Sequence, residues 1–168
     1  RVSIVKQRGS FGIVMRVIPP QIGTLQGLNL PAVLQEIIKA PNGLILVTGP
    51  TGSGKSTSLA AMLNFINSRR RCHIMTIEDP IEFIYPHGRA TVSQREVGRD
   101  THDFHAALRH CVRQDPDVVL IGEMRDQETM SVAITLAETG HLALSMLHTG
   151  EASQTINRII DSFNPHQQ

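Results

Sequence analysis

The sequence predicts an α/β domain built on a mainly parallel sheet, and three observations carry that reading. From residue 44 onward, short apolar runs alternate with longer stretches of helical periodicity. The runs at 44–48, 118–121 and 142–147 are apolar almost throughout, as strands covered on both faces are. The stretches between them are long enough for the crossover helices that parallel strands need. At 168 residues and 40% hydrophobic, the chain can hold a core without staples.

Each element follows in order. Residues 1–6 and 11–18 read as two short strands, with Arg8-Gly9-Ser10 as the turn between them and Pro19-Pro20 ending the second. Residues 21–30 hold Gly23, Gly27 and Asn29 and read as a linker. Pro31 suits a first helical turn, which 32–39 continue to the turn Pro41-Asn42-Gly43. A buried strand at 44–48 leads into a helix over 55–67, whose end carries Arg69, Arg70 and Arg71, favourable beside exposed carbonyls. A strand at 73–77 follows. Residues 84–100 read as irregular, with a short strand at 91–93. A helix over 103–113 gathers Phe104, Ala107, Leu108, Cys111 and Val112 on one face. Then come a strand at 118–121, a helix over 126–138 that is apolar nearly all round, a strand at 142–147, and a helix over 152–163 with Ile156, Ile159, Ile160 and Phe163 on one stripe. The chain opens at Arg1 inside a predicted strand, so it is expected to be part of a longer protein.

Composition narrows the function. No run of 18 apolar residues exists for a membrane-spanning helix. Sixteen Lys and Arg against fifteen Asp and Glu give +1, which does not describe a uniformly basic nucleic-acid binder. Five Phe, one Tyr and no Trp leave little for a base-stacking platform. Charge is uneven, however: residues 1–40 hold Arg1, Lys6, Arg8, Arg16 and Lys39 against Glu36 alone. Such a basic front end suits an anionic ligand. Cys72 and Cys111 read as free thiols in apolar surroundings, as in a reducing compartment.

The strongest motif is Gly49-Pro50-Thr51-Gly52-Ser53-Gly54-Lys55-Ser56-Thr57, a G-x-x-x-x-G-K-[ST] loop between a predicted strand and a predicted helix. Backbone N–H groups must close around a β-phosphate, and Gly49, Gly52 and Gly54 leave them room. The helix N-terminus adds its dipole. Lys55 is expected to bridge the β- and γ-phosphates of ATP, and the Ser56 hydroxyl to ligate Mg²⁺. Hydrolysis needs further groups at neighbouring strand ends. Glu123, after the strand at 118–121, is the only carboxylate at that end and the candidate for polarising the attacking water. Glu78, Asp79 and Glu82 crowd the end of the strand at 73–77, where they repel one another unless a cation or donors are present; beside phosphates they suit Mg²⁺ and its waters. His141 and His148 bracket the last strand seven residues apart, so they face opposite sides. His148 stands at the carboxyl end, where a γ-phosphate sensor belongs. His141 stands at the other end and suits a different task, such as a subunit contact.

These pieces, in this order, resemble the secretion and pilus ATPases of the type II/type IV superfamily. The glycine loop resembles their Walker A motif, TIEDPIEF (76–83) their aspartate box, DPDVVLIGEMRD (115–126) their Walker B motif and ETGHLALSMLHT (138–149) their histidine box. SQREVGRDT (93–101), GEMRDQET and TINRIIDSF are most similar to the PilT-type pilus retraction motors. The resemblance implies a RecA-like P-loop ATPase core over 31–168 that continues past this chain, a linker over 19–30, and the last strands of a small PAS-like α/β domain over 1–18. It implies a homo-hexamer that hydrolyses ATP with Mg²⁺ and works on a pilus platform protein at the cytoplasmic face of the inner membrane, without nucleic acid. It makes Glu123 the catalytic glutamate and His141 and His148 the histidine-box pair. It places Glu78, Asp79 and Glu82 in the acidic box, and has Arg1 and Arg16 reach nucleotide held elsewhere in the ring. Arg8, Arg95 and Arg99 also fit family positions. The alternatives are a sibling motor for pilus extension or type II secretion, and a non-hydrolysing nucleotide-gated assembly factor.

Overall fold

A computed structural model describes residues 2–164. Strands β1 (Val2–Gln7) and β2 (Ser10–Met15) form an antiparallel hairpin. Arg8 and Gly9 turn between them with φ of 49° and 81°, the paired positive values that match the twist of a two-residue hairpin. Apolar side chains are exposed on both faces of this ribbon, Ile4 and Phe11 on one, Val5 and Val14 on the other.

The body is a five-stranded, wholly parallel sheet: β3 (Gly43–Thr48), β4 (His73–Glu78), β5 (Thr91–Glu96), β6 (Val118–Ile121) and β7 (Leu142–Leu147), in the order β3-β7-β6-β4-β5. Alternation along each strand splits the core between the two faces. Ile74, Val118, Leu120, Leu142 and Leu144 meet the helix α2 (Lys55–Arg69), together with Leu25 and Ile38. Met75, Ile77, Val119, Ile121, Ala143 and Leu147 meet α3 (Phe104–Cys111) and α4 (Gln127–Glu138), while α5 (Ala152–Asp161) adds Ile159 from the edge of that cluster. The result is the predicted α/β architecture, helices on both faces of a parallel sheet.

Four elements differ from expectation. The helix expected over 32–39 contracts to α1 (Leu34–Ile37), flanked by tighter turns in which Leu34 N–H bonds Pro31 O and Glu36 N–H bonds Val33 O, which delivers Ile38 into the core. The irregular 84–100 contains a full edge strand, β5, in register with all of β4. The helix expected over 103–113 stops at Cys111 and tightens into a 3₁₀ turn at Val112–Gln114. Finally, α4 is not buried all round: Thr129, Met130, Ala133 and Leu136 are buried, while Gln127, Glu128, Ser131 and Thr135 face out. Residues 19–30 form no strand or helix, and Leu25 anchors them at 2% exposure. Cys111 is a free thiol that burial pushes up to about 11; Cys72 is free and half-buried, and burial raises it too.

Candidate active site

Because every strand of the sheet runs the same way, the carboxyl ends of β3, β4, β6 and β7 open on one edge. A cleft of about 510 Å³ lies there, in the range of small-ligand pockets. Thr51, Gly52, Gly54, Lys55, Ser56 and Thr57 line one wall. Gly49 and Gly54 have φ of 145° and 89°, and a Cβ on Gly49 would stand 2.7 Å from Ser53 Oγ. Only glycine closes the loop there. Gly54 leads into α2 without a side-chain cap, so the first N–H groups of that helix are left for an anion. Lys55 is 6% exposed, and its Nζ donates to Gly49 O at 2.9 Å and Pro50 O at 2.8 Å. Two of its three donors thus hold the loop closed, and the third remains for a phosphate oxygen.

Glu123 and His148 line the same cleft. Glu123 leaves the end of β6, its side chain only 14% exposed. His148, from the end of β7, brings Nε2 to 3.2 Å from Glu123 Oε2, and Arg125 Nε pairs with Oε1. The carboxylate is therefore oriented through both oxygens, each with a lone pair to spare for a water. Gly122 lets the chain pass close to β4: a Cβ there would stand 3.2 Å from Ile77 O, a tight approach.

The acidic segment adds Glu78, Asp79, Pro80, Glu82 and Tyr85 to the lining. Glu78 is 7% exposed. Burial raises its carboxyl above the usual range, while hydrogen bonds from Thr76 Oγ1 at 2.7 Å, Glu82 N–H and Gln94 hold it back. Among the described residues no three His, Cys, Asp or Glu side chains converge closely enough to hold a metal. Oxygen donors that share a cleft without forming a cage suit Mg²⁺, which keeps several waters and leans on substrate phosphates.

Arg16 also lines the cleft, brought there from just beyond β2. Arg1 lies outside the described residues. His141 is remote from the cleft: its Nδ1 lies 3.1 Å from Leu136 O and 3.2 Å from Thr139 Oγ1, at the C-terminal end of α4. Sequence reasoning overlooked Tyr85, Phe104 and Met146, which give the cleft its apolar surface. Position held a partial signal, since Tyr85 closely follows the end of β4 and Met146 lies two residues before His148.

A glycine loop locked to a buried lysine at a helix N-terminus, sharing one cleft with an oriented glutamate at the carboxyl edge of a parallel sheet, defines a P-loop nucleotide-binding protein. The chain belongs to the type II/IV secretion system protein family, whose sequence model matches residues 1–163. It is 51% identical over 163 residues to the type IV pilus retractation ATPase PilT of Pseudomonas aeruginosa, covering 97% of this chain and 47% of that protein. It is 51% identical over 150 residues to a twitching motility protein of Neisseria gonorrhoeae, covering 89% and 40%. The crystal structure of the pilus retraction motor PilT with bound ADP superposes with a TM-score of 0.95 at 50% identity, covering 98% of this chain and 48% of that one. The chain thus spans about half the length of the curated relatives it matches.

Proposed function

We propose that the protein hydrolyses ATP to drive type IV pilus retraction, as a homo-hexameric motor acting on a platform protein at the cytoplasmic face of the inner membrane. The observation that carries this reading is the meeting of the 49–57 loop, Glu123 and His148 in one cleft. Identity near one half to pilus retraction and twitching proteins supplies the pilus.

In this reading the loop N–H groups and Lys55 hold the β- and γ-phosphates. Glu123, oriented by Arg125 and His148, takes the proton of the attacking water. His148, paired with Glu123 in the cleft, registers loss of the γ-phosphate. Arg16, with Arg1, offsets the charge that develops as the phosphate leaves, in its own cleft or a neighbour's. Mg²⁺ bound with ATP would neutralise phosphate charge, with the Ser56 hydroxyl as its protein ligand and Glu78, Asp79 and Glu82 acting through water. Residues 1–18 are the last strands of a PAS-like domain that moves against the core about 19–30. Residues 31–168 belong to a RecA-like core, and His141 serves a subunit contact.

The test is ATP turnover by the full-length protein. Lys55→Ala is expected to abolish turnover with the fold intact by circular dichroism. Glu123→Gln is expected to keep nucleotide binding and lose at least about a hundredfold in kcat. Unchanged turnover in Lys55→Ala would remove the site. A wild-type protein that binds ATP without releasing phosphate would leave a nucleotide-gated assembly factor.

A further inference from the structure

Residues 79–90 leave the end of β4 and pack Phe83 and Tyr85 against the α2 face of the core without joining the sheet. Side chains hold 81–88, and the main chain takes over only at the far end, where the N–H groups of Arg89 and Ala90 donate to Asn67 O at 2.8 and 3.2 Å. The Gln94 carboxamide accepts from Tyr85 N–H at 2.9 Å and donates to Phe83 O at 2.9 Å. Glu96, two residues along β5 and so on the same face, accepts from Ile81 N–H at 3.1 Å. Positions 85, 83 and 81 descend as 94 and 96 ascend, so the segment runs antiparallel over β5 with side chains as its rungs. Farther along, Asn67 of α2, 2% exposed, donates to Pro86 O at 2.8 Å and accepts from Gly88 N–H at 3.0 Å. A Cβ on Gly88 would stand 2.7 Å from Asn67 Oδ1, so the strap fits this staple only as glycine.

The strap carries Asp79, Pro80, Glu82 and Tyr85 into the cleft wall. Gln94 also reaches Glu78, with Nε2 at 3.4 Å from Oε1. One carboxamide therefore touches the buried carboxylate at the strand end and the backbone of the loop beyond it. We propose that Gln94 is a positioning residue for ATP hydrolysis, setting Glu78 and the acidic strap as one unit; the inference rests on the function proposed above. Gln94 is not among the residues lining the cleft, so its effect passes through Glu78 and the strap. A main-chain ladder would tie 81–86 to the stability of the sheet, whereas side-chain rungs let that stretch loosen while β4 and β5 stay paired and 89–90 stay bonded to α2. Among the described residues no hydrogen bond joins the nucleotide loop to these rungs, so binding and turnover separate: losing the rungs should disturb the reacting geometry and spare the phosphate cradle.

The experiment uses the full-length protein with Gln94→Leu, which keeps bulk and removes the rungs. Gln94→Glu is the second variant; it keeps the acceptor for Tyr85 N–H and removes the donor. Two readouts are taken: hydrogen exchange in peptides spanning 79–90, and kcat and KM for ATP. Gln94→Leu is expected to speed exchange across 81–86 by about tenfold or more while peptides from α2 and β6 keep their protection. Turnover is expected to fall by about tenfold with KM nearly unchanged, and Gln94→Glu to fall between that variant and wild type. Unchanged exchange over 79–90 in a folded variant would overturn the proposal, as would a loosened strap with wild-type kcat. If Gln94→Leu does not fold, Gln94→Glu decides by the same two readouts. Absence of turnover in the unsubstituted protein would overturn the ATPase reading and the catalytic positioning with it; exchange would still decide independently whether Gln94 pins the strap.

Discussion

At the residue scale, Glu78 shows what this site demands of its side chains. It is enclosed by Thr76, Gln94 and the Glu82 N–H, yet burial outweighs those donors and its carboxyl group stays above its ordinary value. A folded-state value above the unfolded one means the native protein prefers the protonated acid. The stabilising contribution is thus complete below the unfolded value of 4.5 and is lost as pH rises through the folded one. Glu78→Gln keeps a carbonyl for Thr76 and Gln94 and cannot ionise. It is expected to melt higher than wild type at roughly pH 8, the gap closing toward pH 4. Equal melting at the higher pH would show that the carboxylate costs nothing there. A destabilising carboxylate at a strand end is the kind of local conflict that functional sites carry.

At the element scale, α3 and α4 are fastened at their starts. Asp103 accepts from Ala106 N–H at 2.6 Å and Asp126 from Thr129 N–H at 2.9 Å, both as side-chain caps. His105 ties the two helices, its ring nitrogens 3.2 Å from Asp126 Oδ1 and 3.3 Å from Glu128 Oε2. Asp126→Ala is expected to cost about 1 kcal/mol, read from the urea midpoint, and Asp126→Asn, which still caps, to recover most of it. Strong periodic elements were legible in the sequence: β3, β6, β7, α2 and α5 lie within a few residues of their expected bounds. β5 was half-hidden because, of its six residues, Val92 alone is apolar; Gln94 and Glu96 spend their side chains on the strap instead of the core. α1 was overstated because its pattern fits a helix, while burying Ile38 calls for tighter turns. The glycine loop was legible from its spacing, and Glu123 as a cleft residue from its place at a strand end. The Glu123–His148 contact joins ends of different strands and the Gln94 rungs cross nine to eleven residues, distances at which no local pattern speaks.

At the scale of the whole molecule, the hairpin and the sheet are unequal partners. Among the described residues β1 and β2 pair only with each other, and their apolar side chains stay exposed on both faces, whereas β4, β6 and β7 are buried nearly throughout. A two-stranded ribbon with no covered face is marginal by itself. In this chain its amides are expected to exchange with solvent well before those of β4, β6 and β7; equal protection would mean that the ribbon and the sheet open together. The sheet has an asymmetry of its own. β3, the strand that delivers Gly49, stands at one end of the order, with only β7 beside it among the described residues. Its sequence, GLILVT, carries no charge and no proline to discourage another strand from docking. The phosphate cradle therefore hangs from the margin of the fold, so whatever lies along that margin, from the same polypeptide or another, gains mechanical access to the nucleotide through a single strand.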